Sequence, residues 1–147
     1  MNNLINTDYG LEDIKAKDVI AKDPRDLNGY KIALEYAKEC FKITKKFPEW
    51  EQDDLADQLR RSTKKIPAQI AEGNGALYSN RELYFIGGIA LGSLCESQAH
   101  LDVALAYGLV NMDEHKRLDD MAQEIKKLLI SYVKAILEEI NKKSGDK

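Results

Sequence analysis

Histidine is nearly missing from this chain: 147 residues contain two, His100 and His115. A carboxylate-bridged di-iron bundle needs Glu-x-x-His on each of two helices. The nearest match is Glu96 with His100, four apart and found once, so no metal site is expected. Cysteine is as sparse. Cys40 and Cys95 lie in helical patterns with neither metal nor redox spacing, which points to reduced thiols in a cytosolic protein. Long apolar runs are missing too. The longest, residues 83–94, is broken by Tyr84, Gly87, Gly88, Gly92 and Ser93, well short of the ~20 residues a membrane span needs. The opening MNNLINTDYGLEDIKAKD lacks the basic-then-apolar build of a signal peptide. A cytoplasmic protein is therefore expected. Nor is there an excess of positive charge: 22 Lys and Arg against 25 Asp and Glu give a net charge of −3. That excludes a globally basic nucleic-acid coat and confines any polyanion site to a local patch.

Strand alternation is absent, and helical periodicity is what remains. Residues 1–26 are polar, with a weak helical pattern at Leu11, Ile14 and Val19, and form an N-terminal extension that orders only against a partner or stays a loose tail. From residue 27 to 143 the spacing predicts four helices. Tyr30, Ala33, Leu34, Ala37 and Phe41 form the buried face of the first. Pro48 suits the first turn of the second, whose apolar seam is Leu55, Leu59, Ile66 and Ile70, with Ser62 and Thr63 where the seam would continue. Pro67 removes a backbone hydrogen bond and predicts a kink near Thr63. Gly73-Asn74-Gly75 offers residues tolerant of positive φ for the helix end. Ser79 and Glu82 form a capping box for a third helix running from about Asn80 to Tyr107, stopping at Gly108. The fourth begins near Asp113 and carries Leu118, Met121, Ile125, Leu128, Leu129, Tyr132, Ile136 and Ile140 on one face. Long helices with short connections predict an all-α, antiparallel up-down-up-down four-helix bundle.

Two features exceed what a generic bundle requires. Gly88 and Gly92 stand four apart within the third helix, beside Gly87. Each costs about 1 kcal/mol against Ala, which makes sense where another helix, in the chain or in a second copy, approaches closely. Apolar residues also lie off the main seams: Phe85, Ile89 and Leu91 on the third helix, Val133 and Leu137 on the fourth. Either a homo-oligomer covers them or the monomer core is broad.

Other chemistry does not accumulate. Ser62-Thr63-Lys64-Lys65 matches Ser-x-x-Lys without the further motifs or α/β core that acyl transfer requires. Gly73-Asn74-Gly75 is no phosphate-binding fingerprint, as no strand precedes it. No catalytic residue, cofactor or enzymatic activity is assigned. What does accumulate is charge: Arg60, Arg61, Lys64 and Lys65 fall in two adjacent rows of one helix, and Lys42, Lys45 and Lys46 extend the patch. The cluster is either a solvated face neutralised by Glu49, Asp53, Asp54 and Asp57, or a phosphate-binding surface. No aromatic stacking platform is obvious beside it, which disfavours sequence-specific reading of single strands.

The same residues carry a family resemblance. Phe47-Pro48, then Gln58-Leu59-Arg60-Arg61-Ser62, then Ile66-Pro67-Ala68-Gln69-Ile70-Ala71-Glu72-Gly73 resemble the small bacterial intervening-sequence proteins, which are encoded within insertions in large-subunit ribosomal RNA genes. Glu82, Phe85, Ile89-Ala90, Gly92-Ser93-Leu94, Glu96, Leu101 and Gly108 continue the match across roughly residues 27–140. Gln69 stands where the family usually has Asn, and Lys64-Lys65 replaces smaller residues. The resemblance implies a four-helix bundle assembled as a ring, typically a homopentamer, and an association with RNA. Similar bundles serve as accessory proteins of reverse transcriptases in diversity-generating retroelements, so a protein-interaction scaffold is the alternative expectation. Within the shared framework Arg60 and Arg61 are candidates for structural ion pairs as much as for RNA contacts. Lys64 and Lys65 are particular to this chain.

Overall fold

The computed structural model of the chain describes residues 23–76 and 79–145. A 3-10 turn, Pro24–Asp26, is capped by Asp23, whose carboxylate accepts from the backbone N–H of Arg25 at 2.9 Å. The weak pattern at Leu11, Ile14 and Val19 lies outside the described residues. Four helices follow: α1 (Asn28–Thr44), α2 (Leu55–Asn74), α3 over residues 80–106 and α4 (Met112–Gly145), with a single turn, Glu49–Gln52, between α1 and α2. Each packs on its neighbours in the chain, and α1 closes the ring against α4. The start of α1 meets the middle of α4, where the Gly29 N–H donates to Tyr132 Oη at 2.9 Å. The end of α1 meets the start of α4 through Lys46 and Glu114, 3.8 Å apart. The two helices are therefore antiparallel, and the expected all-α bundle is what forms. Among the described residues there is no strand, and no helix is long and apolar enough to cross a membrane.

The α2 seam falls as expected. Leu55, Leu59, Ile66 and Ile70 are buried. Ser62 and Thr63 continue the seam by donating their hydroxyls to the Leu59 carbonyl, at 3.1 and 3.0 Å, which satisfies them inside the core. The helix runs unbroken through the buried Pro67. Along α4, Leu118, Ile125, Leu128, Leu129, Tyr132 and Ile136 are buried, while Met121 and Ile140 pack half-buried against them. Ser79 caps α3 by accepting from the Glu82 N–H at 3.2 Å. Gly108, at φ 71°, ends the α3 connection in a left-handed conformation that suits glycine.

Three expectations are corrected. The buried face of α1 is Gly29, Ala33, Tyr36, Cys40, Ile43 and Thr44, not the face carrying Leu34 and Phe41. Leu34 and Phe41 are each 46% exposed. Ala33 is buried as expected, and it is Gly29 that marks the phase, since a Cβ there would lie 2.9 Å from the Tyr132 ring. Larger side chains at these sites would hold α1 away from α4 and break the Gly29–Tyr132 hydrogen bond. On the same face Tyr36 Oη and Ser97 Oγ share a 2.8 Å hydrogen bond across the core.

The second correction concerns Gly73-Asn74-Gly75. Gly73 and Asn74 remain helical and Gly75 has φ −68°, so positive φ is not what this run supplies. Gly73 is instead a packing glycine, since a Cβ there would come within 2.8 Å of Ile86 Cγ1 and 3.0 Å of Phe85 Cβ.

The third concerns α3, which is not a uniform helix. Between the turn Asn80–Leu83 and the helix Leu91–Ala106 lies a π-helical stretch, Tyr84–Ala90, where the Leu91 N–H reaches back to the Ile86 carbonyl. The buried α3 residues Glu82, Ile86, Ala90 and Leu94, which lie in and on either side of this stretch, are spaced by fours. In an ideal α-helix that spacing drifts by about 40° per step. The wider π turn takes up the drift and keeps all four facing inward.

Burial of Cys40 pushes its thiol up to about 12, and the hydrogen bond with Tyr36 only partly opposes this. A Cys95→Ser variant, leaving Cys40 alone, should therefore resist a thiol reagent at about pH 8 and react only at the rate of global unfolding. Rapid labelling of the native protein would mean that α1 is packed in the other phase.

Candidate nucleic-acid interface

The cations of α2 separate into two kinds once the helices are placed. Arg60 turns toward the end of α1. Its Nε donates to Thr44 Oγ1 at 2.8 Å and its Nη2 to Gln52 Oε1 at 2.7 Å. Gln52 in turn donates through Nε2 to the carbonyls of Thr44 and Phe47, at 2.8 and 2.9 Å. These are carbonyls at and just beyond the α1 C-terminus, where intrahelical partners run out and a cation is favoured by the helix dipole. Arg60 thus ties α1, the connecting turn and α2 together. Arg61 is held differently, by an ion pair with Asp57 at 2.8 Å one turn earlier on the same helix.

Lys64 and Lys65 have no such partners. Both are exposed, and among the described residues no acid lies within ion-pair distance of either. Of the acids expected to neutralise the cluster (Glu49, Asp53, Asp54 and Asp57), only Asp57 pairs with one of its cations. Asp54 instead accepts from Gln58 at 3.3 Å. The α1 lysines are mixed. Lys42 pairs with Glu39 at 3.4 Å and Lys46 with Glu114 at 3.8 Å, while the Lys45 ammonium lies 4.4 Å from the centroid of the Phe41 ring.

Phe41 is the residue that periodicity misplaced. It stands at the surface between α1 and α2, with the Arg60 guanidinium 5.6 Å from its centroid. It lines a groove of about 290 Å³ with Ala37, Lys38, Arg60, Thr63 and Lys64. An aromatic platform therefore does lie beside the cluster. Phe41 four residues before Lys45, on the helix preceding the arginines, was the signal available in the sequence. Gln52 and Thr44 gave none, because a polar pair that satisfies helix-end carbonyls has no periodicity of its own.

The residues expected at a helix or oligomer contact also divide. Val133 packs inside the chain, with its Cγ2 3.0 Å from where a Gly87 Cβ would stand. Phe85 and Ile89 are half-buried, and Phe85 also receives the Arg81 guanidinium at 5.3 Å from its ring. Gly88 and Gly92 are not close approaches within the chain: a Cβ at Gly88 meets only the ring of Tyr84, and one at Gly92 meets nothing within 4 Å. Leu137 stays 40% exposed. The histidines are each held by one carboxylate, His100 by Glu96 at 3.4 Å and His115 by Asp102 at 2.7 Å. No group of metal-ligating side chains occurs among the described residues.

Residues 25–131 match the family described as 23S rRNA-intervening sequence protein, and the chain belongs to that family. No curated protein matches it. The matched span takes in α1, α2, α3 and most of α4, and so includes the whole basic cluster.

The two arginines should behave unequally. Arg60→Ala is expected to lower stability by roughly 1–2 kcal/mol, since it strips a charged donor from a partly buried corner. Arg61→Ala should cost about 0.5 kcal/mol or less, as is usual for an exposed ion pair. Denaturant midpoints measure both, and equal losses would contradict the division of roles.

Proposed function

We propose that this protein is a non-enzymatic, cytoplasmic homo-oligomer that binds structured RNA or a ribonucleoprotein through the α1–α2 face. Lys64 and Lys65 are the principal phosphate contacts, Lys45 and Lys46 extend the surface, and Arg60 and Arg61 mainly hold its shape. The observation that carries this is the pair of exposed, uncompensated lysines on a chain whose net charge is −3. Neighbouring like charges on a helix repel, and a polyanion relieves that repulsion. The description of the family, in which 23S rRNA is named, supports RNA as the polyanion.

Assembly is supported by residues left over after the bundle is built. Gly88, Gly92, Tyr84 and Leu137 are exposed on α3 and α4. Helix-weakening glycines at open positions are best explained by the backbone of a second copy coming close. A ring of five copies is the arrangement proposed, following the family resemblance. A protein-interaction scaffold, such as a reverse-transcriptase accessory subunit, is the second function. It is favoured by Trp50, Tyr107 and Met112, exposed at the end of the bundle that carries the α1–α2 and α3–α4 connections.

Affinity of the wild-type protein for 23S ribosomal RNA should fall steeply with salt. Lys64→Glu/Lys65→Glu should weaken binding across RNAs and lower the slope of log K against log salt by roughly 0.7–0.9 per cation removed. Unchanged affinity in that variant would end the RNA proposal and favour the scaffold. For assembly, Gly88→Leu/Gly92→Leu should leave the fold intact and reduce the mass measured by light scattering to that of the monomer. A mass that stays the same would place the contact elsewhere.

A further inference from the structure

We infer that the groove between α1 and α2 holds one unpaired base of the bound RNA, stacked on Phe41, with Lys64 and Lys45 on the flanking phosphates. This rests on the RNA-binding proposal and deepens it from a charged surface to a site for a single-stranded nucleotide.

Phe41 is 46% exposed although Phe is a residue that cores readily absorb. It is not a stray surface aromatic, because it forms the wall of a 290 Å³ groove whose other walls include Lys38, Arg60 and Lys64. Two cations already lie against the ring, Lys45 Nζ at 4.4 Å and Arg60 Cζ at 5.6 Å from its centroid.

The occupant is argued from charge and shape together. An apolar side chain or lipid tail would cover the ring but leave the surrounding cations facing a low-dielectric partner, which is costly. A bare phosphate would meet the cations but leave the ring wet. A nucleotide supplies both halves, a flat π face for Phe41 and an anionic linker for the ammonium groups. The cations are disposed for this. Arg60 is fixed by Thr44 and Gln52 through Nε and Nη2, so its plane is set before any ligand arrives, and its Nη1 makes no hydrogen bond among the described residues. Lys64 is exposed and without an acid partner, and Lys45 is exposed on a flexible stem that can move from the ring to a phosphate. Lys38, which also lines the groove, is paired with Glu35 at 3.2 Å.

The test compares a fully paired RNA hairpin with the same hairpin bearing an unpaired tail that contains 2-aminopurine, at fixed salt. The proteins are wild type, Phe41→Ala, Phe41→Trp and Lys64→Glu/Lys65→Glu. Phe41→Ala should weaken tail-dependent binding on the order of tenfold and abolish 2-aminopurine quenching. It should leave affinity for the paired hairpin, thermal stability and the mass in solution unchanged. Phe41→Trp should restore both affinity and quenching. Equal effects of Phe41→Ala on both RNAs, or none on either, would overturn the stacked base. So would a change of mass, which would make Phe41 a contact between copies. Loss of binding to both RNAs in the lysine variant sustains the RNA surface independently. Unchanged binding there sinks that surface, and the stacked base with it.

Discussion

The hydrogen bonds that Arg60 donates to Thr44 and Gln52 set most of what is distinctive about the α1–α2 face. They join three segments at the C-terminal end of α1, where intrahelical partners run out. With Gln52 closing the Thr44 and Phe47 carbonyls, α1 and α2 have a defined separation and register at this end of the bundle. That register places Phe41 over one rim of the interhelical groove and Lys64, one turn after Arg60, over another. Because the partners of Arg60 are neutral, its positive charge is retained at the surface. An ion pair in the same place would have given the geometry and cancelled the potential.

At the far end of α1 the constraint is steric. The Gly29–Tyr132 contact and the Tyr36–Ser97 hydrogen bond draw α1 toward α4 and α3, and only a face with Gly and Ala in its first turns can come that close. This explains why a face carrying Leu34 and Phe41 lost to one carrying Gly29, Tyr36 and Cys40. Transfer free energy alone favours burying the larger residues, but close packing and two satisfied tyrosine hydroxyls weigh on the other side. Leu34 and Phe41 are outside as a result.

Much of the fold was legible because α2 and α4 carry long, single-phase apolar seams. Leu55, Leu59, Ile66 and Ile70 could face only one way, and Ser79 with Glu82 marked the start of α3. The phase of α1 was not legible, since two stripes of similar length compete and the deciding residues are small ones that periodicity undervalues. Gly73 was mistaken for a turn residue because a glycine near a helix end usually serves φ, whereas here it serves the contact with Ile86. The π stretch was hidden for a related reason: fours in a row look like two stripes until the turn widens. Of the candidate site, the cations could be read directly. The pairing of Arg61 with Asp57, four residues earlier, was within reach of the sequence, but the hold on Arg60 was not, because it depends on Thr44 and Gln52 lying close in space.

Two local rules are broken on this face: a large aromatic is left in water, and neighbouring lysines are left without acids. Either alone is commonplace on a protein surface. The meeting of that ring with one of the lysines, Lys64, in one groove is harder to attribute to chance, because the causes are independent. The ring is exposed by packing at the opposite end of α1, and the lysines are uncompensated because no acid stands three or four residues from either on α2. Sites where local preference and global fold disagree are where function is usually found. In the core, by contrast, apolar period and burial agree along α2 and α4. Along these two helices the bundle is thus a consistent scaffold, and the exposed ring and the unpaired lysines stand out against it on the α1–α2 face.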